Sequence, residues 1–309
     1  MNNFPTYFFE KDFLNYIHNR FGYENFSYIN REHDYTFYAP ILIKNGKVEA
    51  CSLSFLPVPF MHGNPSKNAI KKEMKNYFSK LNEIGAKYIS LRQDPLLQYD
   101  NRIIKFLLLK GFSPNVFYTT IVNLQLTIEE LWKNLRDRYR SLINSLEKDK
   151  TLIFVKVNSL NIDQYFIDWK ELYSKLLARG SSNSNDLQFV SLYDSIKNGF
   201  SNLYLLYKEN TLISGIHIVT ANNKSYFFAG GTAPEYEGDS CYSHFLFWKI
   251  IPDLKKNKVE FLEIGPIFFD NVKNFYNHSE KETTISFFKL GIGGEITHFF
   301  VYQLSSDIE

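Results

Sequence analysis

The chain has 309 residues, of which 44% are hydrophobic and 22% charged, a balance typical of a globular protein. With 35 basic and 33 acidic residues the net charge is +2, which indicates no strong attraction to DNA or to an anionic membrane surface. Cys51 and Cys241 are too few for a disulfide framework and lack metal-ligand spacing, so we expect a reduced, cytoplasmic protein without a metal. The first residues lack the pattern of a signal peptide, and no apolar run approaches the ~20 residues of a membrane span.

Apolar periodicity and turn signals predict alternating helices and strands in the first half of the chain. In chain order they predict a helix over about 9–20, strands YTFYAPILIK and KVEACSLSFL, a helix NAIKKEMKNYFSKLNEIG, a strand KYISLRQD, a helix NRIIKFLLLK and a strand NVFYTTIVNL. The dipeptide Asn45-Gly46 between the first two strands is typical of a tight β-hairpin.

The second half is predicted to begin with a long helix, TIEELWKNLRDRYRSLINSLEK, whose Thr127 and Glu130 have capping-box spacing. A strand LIFVKV and a helix DQYFIDWKELYSKLLARG follow, and the tract over 179–186 is predicted to be a loop. Next come a hairpin turning at Glu209-Asn210, a strand KSYFFAGG after a turn at Asn222-Asn223, a helix SHFLFWKIIPDLKKN, a strand VEFLEIG and two closing strands around FFKLGIGGEIT.

The segments ILIKNGKVEA and YLLYKENTLIS share one strand–turn–strand pattern, and in both halves a helix and another strand follow. This predicts an α+β fold of two tandem modules, each a mostly antiparallel twisted sheet flanked by helices. We place the boundary between residues 125 and 126, so that the modules are 1–125 and 126–309. No linker rich in Pro, Gly or Ser marks this position, which predicts an interface between the modules.

Four segments of the second half match one known family in the same order: EELWKNLRDRYRSLI, YKENTLISGIHIV, SYFFAGGTAPEYEGDSCYSHFLFWKII and FFKLGIGGEI. Over about 115–304 the chain therefore resembles the GNAT-type acyltransferase domain of the FemABX-like aminoacyltransferases and their acyl-CoA-dependent relatives. The resemblance implies two GNAT-like modules, of which the second carries the transfer reaction. The chain departs from the family in lacking a long coiled-coil arm, and from ordinary acetyl-CoA enzymes in lacking their glycine-rich pyrophosphate loop.

The resemblance implies an N-acyltransferase that moves an acyl group to an amine on a cell-envelope precursor or a nucleotide-linked amino sugar. Acyl-CoA is the preferred donor, because the small net charge and the missing arm disfavour tRNA. Two alternatives stay open. One is an aminoacyl-tRNA-dependent peptidyltransferase acting on a peptidoglycan precursor, and the other is a non-catalytic binding module with the same fold.

The resemblance also selects candidate catalytic residues. Lys289 matches a lysine of the acyl-transfer cleft, where a cation stabilises developing negative charge or holds a phosphate; taken alone, it reads as a solvated lysine beside a turn. Phe288 precedes it in the same motif and is a substrate-binding candidate. Glu263 matches an acidic position on a buried strand and is either a base for the attacking amine or a structural partner for an arginine. Tyr236 and Glu235 follow a strand at the mouth of the expected cleft, Tyr236 as a catalytic and Glu235 as a substrate-binding candidate.

Three arginines, at 136, 138 and 140, form a basic run on the predicted long helix. Arg136 and Arg140 are four residues apart, so on one helix they would share a face and could clamp a phosphate. Arg140 is the one that matches the family. The alternative is a solvated helix face.

The remaining polar and aromatic candidates are predicted to be structural. The glycines over 291–294 lack a dinucleotide fingerprint and are predicted to form a bend between two strands. No metal or triad spacing links the histidines, which we interpret as packed or surface residues: His62, His217 and His244. Cys241 shows no sign of being a nucleophile. Three tryptophans at apolar helix positions are interpreted as core: Trp132, Trp169 and Trp248.

Overall fold

A computed structural model describes residues 6–49, 56–179, 186–236, 238, 241–272 and 275–305. Within these residues the α-helices are α1 (Lys11–Phe21), α2 (Lys67–Glu83), α3 (Asn101–Leu109), α4 (Ile128–Asn134), α5 (Asp137–Leu146), α6 (Ile162–Arg179), α7 (Asp186–Lys197), α8 (Tyr242–Lys256) and α9 (Glu280–Leu290). The strands are β1 (Glu24–Asn25), β2 (Tyr28–Arg31), β3 (Tyr35–Ala39), β4 (Leu42–Lys44), β5 (Lys47–Val48), β6 (Phe60–Gly63), β7 (Tyr88–Arg92), β8 (Ser113–Asn123), β9 (Leu152–Val157), β10 (Ser201–Lys208), β11 (Thr211–Ala221), β12 (Lys224–Thr232), β13 (Phe261–Ile267) and β14 (Glu295–Ser305). Short 3-10 helices span Tyr7–Phe9 and Pro234–Tyr236.

The chain divides into two compact units. The first comprises Met1–Tyr118, Asp270–His278 and His298–Glu309, and the second comprises Thr119–Phe269 and Ser279–Thr297. Strands β8 and β14 each contribute residues to both units. The boundary between residues 125 and 126 stays a prediction.

The first unit is built on two sheets. One has the strand order β1-β4-β5-β7-β14, with β5 and β7 parallel and the other neighbours antiparallel, and the second is the antiparallel sheet β2-β3-β6. The predicted hairpin turn is confirmed, because Asn45 and Gly46 both have positive φ between β4 and β5. Helix α2 begins at the N-cap Ser66 and buries the apolar face predicted for it, which includes Met74 and Tyr77.

The second unit contains the strand order β13-β12-β11-β10-β9, in which only β12 and β13 are parallel. Two predicted turns are confirmed by positive φ angles, at Glu209-Asn210 between β10 and β11 and at Asn222 between β11 and β12. Asparagine tolerates this left-handed conformation better than most residues with a side chain, which is why it identifies such turns. Together the units have the predicted α+β class, with mostly antiparallel sheets flanked by helices.

Helices cover both faces of the sheet in the second unit. Helix α8 packs on one face, where Ile216 and Ile218 join its apolar side chains in the core. Helix α6 lies on the other face, where a Cβ at Gly215 would come within 2.6 Å of the Trp169 ring. Trp169 is completely buried, so its assignment to the core is confirmed. Trp132 and Trp248 are only partly buried, and for them the core assignment is wrong in part.

The predicted long helix from residue 127 is wrong in its middle. It is two helices, α4 and α5, separated by Leu135 and Arg136, whose ψ angles of 144° and 139° are extended. Leu135 is buried, and the Arg136 N–H donates to Gly291 O at 3.4 Å, so tertiary contacts outweigh helix propensity at this point. Arg136 precedes α5 as its N-cap, and it therefore does not share a helix face with Arg140.

The two closing strands are also wrong in part, because the segment before the glycines is helix α9. Ser279 and Glu282 form a complete capping box at its start, a signal that the sequence contains. The connection that follows is confirmed as a bend, since Gly293 has a φ of +88° before β14. It joins a helix to a strand and not two strands.

One helix was not predicted, and two predicted features lie wholly or mostly outside the described residues. Helix α7 was not predicted, and the loop tract lies outside the described residues except for its two ends. Cys51 also lies outside the described residues. Among the helices that the structure describes, none has the length and apolar character required to cross a bilayer.

Candidate active site

Strands β12 and β13 run side by side for three residues and then part. Their register pairs Lys224 with Phe261 and ends with Tyr226 opposite Glu263. Beyond that pair β12 continues to Thr232 and β13 to Ile267, with no further register between them among these described residues. Buried backbone N–H and C=O groups require partners, so an extended ligand carrying amide groups can pair with the strand edges in this gap.

A bulge in β12 lies directly beyond the point of parting. Three residues of β12, Phe227 to Ala229, stand opposite two residues of β11, His217 and Ile218. The Phe228 ring packs edge-on against the His217 ring with centroids 5.5 Å apart. Burial lowers the pKa of His217 to about 3, so this histidine is neutral, and its Nε2 lies 2.8 Å from Ser201 Oγ. A bulge of this kind generally bends a strand and increases its local twist.

The side chain of the candidate Lys289 reaches the end of β13. This lysine lies in the last turn of α9 with its side chain buried, and its Nζ donates to Pro266 O at 2.6 Å. Gly265 has a φ of +89°, and a Cβ at this position would lie 3.2 Å from that Nζ. The absence of a side chain at Gly265 therefore leaves the space that the ammonium group occupies. The structure places this buried ammonium group at the end of β13, bonded to the residue three positions beyond Glu263.

Glu263 lies at the last paired position of β13 and is 2% exposed. Its carboxylate accepts a hydrogen bond of 2.8 Å from Thr119 Oγ1. A buried carboxylate with a hydroxyl donor is held in one orientation. Thr119 is thus one partner of this carboxylate, and the sequence did not predict it.

Phe288 contributes to an aromatic stack with His244 and Tyr139. The Tyr139 and His244 rings stack with centroids 3.6 Å apart, and the Phe288 ring meets His244 edge-on at 4.3 Å. His244 Nε2 lies 3.2 Å from Phe288 O, and since a carbonyl can only accept, Nε2 carries the proton. Burial lowers the pKa of His244 to about 4, and the positive charge of Arg136 acts in the same direction. The imidazole is therefore neutral and fixed in its tautomer.

The first turn of α8 is bordered by positive charge. Arg136 lies near enough to lower the pKa of His244, and Arg138 lowers the pKa of Cys241, although burial raises that thiol to about 11 overall. A helix N-terminus carries a partial positive charge that favours anions, and the two arginines add to it. The predicted Tyr236 is also here, with its ring 6.5 Å from that of Tyr242.

Arg140 and Glu235 make other contacts. Arg140 Nη1 donates to Lys133 O at 2.8 Å and to Leu135 O at 2.6 Å, and Nη2 pairs with Asp137. These bonds satisfy carbonyl groups at the end of α4. Glu235 is exposed and forms an ion pair of 3.1 Å with Lys175 of α6.

The structure thus brings most of the candidates to two places. Glu263 lies on β13 and the Lys289 ammonium lies at the end of that strand, whereas Phe288, Tyr236 and Arg136 surround the start of α8. Sequence reasoning missed His244 as the centre of the aromatic stack, and it missed the Gly-Pro pair at the end of β13. Gly265-Pro266 is a sequence signal for irregular backbone that could have identified that position.

The described site is a strand gap next to a buried lysine and a buried carboxylate, on a mostly antiparallel sheet flanked by helices. The chain has a FemABX-like fold. Comparison of the sequence with protein-family models and with curated proteins finds no match.

Three solved structures illustrate the likeness. FemX is 13% identical with a TM-score of 0.65, covering 94% of this chain and 90% of that one. The C-terminal domain of a proposed lysylphosphatidylglycerol synthetase from Agrobacterium fabrum is 11% identical with a TM-score of 0.63, covering 96% and 89%. L-PGS from Bacillus licheniformis is 10% identical with a TM-score of 0.63, covering 95% and 86%. At these identities the likeness defines the fold.

Proposed function

We propose that the protein is an N-acyltransferase whose second unit binds the acyl donor in the gap between β12 and β13. The observation that carries the proposal is the parting of these strands after Tyr226 and Glu263, with the Lys289 ammonium at the end of β13. Such a gap offers strand-edge hydrogen bonds to an extended chain and fixed charges to a reacting carbonyl.

Acyl-CoA fits this gap best among the donors considered. Its pantetheine arm is extended and carries amide groups, which can pair with the edges of the parted strands. Its phosphates are anionic, and Arg136 and Arg138 border the first turn of α8. Arg140 stays a second phosphate candidate, although two carbonyl groups and Asp137 already accept its hydrogen bonds.

The reaction is proposed as direct transfer in a ternary complex. The amine nitrogen attacks the thioester carbonyl, the carbon–sulfur bond breaks, and the thiolate leaves and takes up a proton from solvent water. Lys289 stabilises the negative charge on the carbonyl oxygen, and Glu263 accepts the proton that the amine loses, directly or through a water. Tyr236 is proposed to orient the acceptor at the start of α8. The resemblance implies an acceptor amine on a cell-envelope precursor or a nucleotide-linked amino sugar.

A direct test is a transfer assay with a panel of acyl-CoA donors and amino-sugar nucleotide acceptors, in which released thiol and acylated product are both measured. We expect stoichiometric thiol and product with at least one pair of substrates. Parallel reactions contain aminoacyl-tRNA in place of acyl-CoA, because the resemblance also includes aminoacyltransferases.

The outcomes separate the three candidate functions. Product from acyl-CoA supports the proposal, and product only from aminoacyl-tRNA supports the peptidyltransferase alternative. If no donor yields product, and none raises the melting temperature with its concentration, the proposal is wrong and the binding-module alternative is favoured.

A further inference from the structure

A groove on the second unit lies between α4, α5 and α8, with a volume of about 440 Å3. Trp132 and Trp248 form its floor, with ring centroids 4.8 Å apart and planes tilted by 56°. Both rings remain partly exposed, unlike the completely buried Trp169. Two partly exposed indole rings that line one concavity of ligand size indicate a binding site.

Polar side chains surround this aromatic floor. Glu129, Lys133 and Asn144 are exposed and line the groove. Among the described residues, none of these three side chains forms a hydrogen bond or ion pair with the protein. Glu147, which also lines the groove, differs because it is paired with Lys249 at 3.1 Å. The groove therefore offers a carboxylate, an ammonium and an amide to a ligand whose flat face lies on tryptophan.

We propose that this groove binds an adenine base. A purine has two flat faces for stacking on Trp132 or Trp248, as bases do on aromatic side chains. Its edge carries a donor and an acceptor side by side, which is the pattern that an Asn amide such as that of Asn144 complements. The Glu129 carboxylate can accept from the exocyclic amine, and Lys133 can pair with a phosphate. An aliphatic ligand would use the rings but leave all three polar groups without a role.

The position of the groove connects it with the proposed donor site. Trp248 lies six residues after Tyr242 on α8, which corresponds to about 9 Å along the helix axis. A ribose and its phosphates can span that length, so a base on Trp248 puts phosphate near the first turn of α8. This inference rests on the proposed function, because the ligand is identified as the adenosine end of the acyl donor. Two donors carry this chemistry, namely CoA and the 3′-terminal adenosine of tRNA.

The test uses the fluorescence of the full-length protein, in which the groove holds two of the three tryptophans. We expect AMP to quench the emission saturably, and UMP at equal concentration to quench it about fivefold less, because a pyrimidine offers a smaller stacking face and a different edge. Asn144→Ala should raise the Kd for AMP about tenfold, the loss expected for one or two hydrogen bonds. Asn198→Ala, a change of the same kind at an exposed position at the end of α7, should leave the Kd unchanged.

Two further variants assign the signal to the groove. Trp132→Phe and Trp248→Phe each keep an aromatic ring at the position and remove one indole fluorophore. Both should reduce the amplitude of the quenching by AMP. An unchanged amplitude in both variants would mean that AMP binds elsewhere and would overturn the proposal.

Competition then identifies the source of the adenosine. CoA that displaces AMP assigns the groove to an acyl-CoA donor, and displacement only by an RNA hairpin ending in CCA assigns it to tRNA. Equal quenching by AMP and UMP, no quenching, equal effects of the two asparagine variants, or displacement by neither competitor would overturn the proposal. AMP binding without acyl transfer by any donor contradicts the proposed function, whereas transfer without AMP binding contradicts only the groove.

Discussion

Lys289 Nζ donates a hydrogen bond of 2.6 Å to the carbonyl oxygen of Pro266, which ties the last turn of α9 to the end of β13. A lysine on a flexible stem loses up to about 2 kcal/mol of side-chain entropy when it is held in one position. The bond thus fixes a charge that would otherwise explore many rotamers. Fixed charge is the form in which an electrostatic group contributes to catalysis.

Replacing Lys289 by methionine removes the ammonium and keeps a side chain of similar length. We expect kcat for acyl transfer to fall by about 100-fold or more, because stabilisation of the developing oxyanion is lost. The KM for the donor should change little if the charge acts mainly in the transition state. Lys281→Met, at an exposed position of the same helix, is the control. Equal activity of the two variants would remove Lys289 from the proposed site.

Gly265→Ala tests whether the space beside that ammonium matters. Two effects add here, because the φ of +89° is unfavourable for alanine and the new Cβ would lie 3.2 Å from Lys289 Nζ. We expect a loss of about 2–3 kcal/mol of unfolding free energy by urea denaturation, together with reduced kcat.

Gly199→Ala separates those two effects. Gly199 has a φ of +79°, and no described atom lies within 4 Å of the place that a Cβ would take, so the substitution introduces backbone strain alone. Its cost should be about 1 kcal/mol with unchanged kcat. If both glycine variants lose equal stability and keep full activity, the contact with Lys289 has no functional weight.

Arg140→Ala and Arg136→Ala are expected to differ in what they change. Arg140 Nη1 bonds two carbonyl groups at the end of α4, so its removal should cost about 2 kcal/mol of stability. Arg136 is exposed beside α8, so its removal should raise the KM for acyl-CoA severalfold and leave stability within about 0.5 kcal/mol. Urea denaturation and steady-state kinetics on both variants make the comparison, and the reverse pattern would return the phosphate role to Arg140.

Acid is expected to destabilise the protein through its buried histidines. The pKa of His244 is lowered from 6.5 to about 4 in the folded state, so the unfolded chain binds the proton more readily. Stability is therefore fully present above pH 6.5 and falls by up to about 1.4 kcal/mol per pH unit toward pH 4. His244→Gln should reduce the loss between pH 7 and pH 5 by about 2 kcal/mol in urea unfolding. The exposed His62→Gln variant should lose as much unfolding free energy between pH 7 and pH 5 as the parent protein. If His244→Gln also loses as much as the parent protein, protonation of His244 is not the cause of the loss.

Short-range signals in the sequence predicted most of the fold. The turns at Asn45-Gly46 and Glu209-Asn210 were found because positive φ restricts residue choice at those positions. The break between α4 and α5 was not found, because nothing near Leu135 in the sequence disfavours a helix. Its cause is distant in the chain: a Cβ at Gly293 would lie 2.6 Å from the Asn134 backbone, so these segments pack in close contact.

Some features of the candidate site were also predicted from the sequence, and others were not. Lys289 and Glu263 were predicted because each lies in a recognisable segment, but the parting of β12 and β13 has no local signal. It depends on which strands become neighbours, and a bulge of one residue near Phe228 lies next to it. The His244 stack was missed because Tyr139 and Phe288, its partners, come from helices far apart in the chain.

The glycine connection after α9 has a consequence for the order of events during synthesis. Gly293 packs on Asn134, and Gly294 packs on Ile121, whose carbonyl oxygen would lie 2.8 Å from an added Cβ. These partners leave the ribosome long before the glycines do. Before the glycines are synthesised, the segment that becomes α4 and α5 lacks its contact with Gly293, which lies at the break between these two helices. Lys289 of α9 is also still missing at that stage. A nascent chain can therefore form the hairpins of the second unit early, but it acquires the candidate site only after α9 and the glycines that follow it have been added.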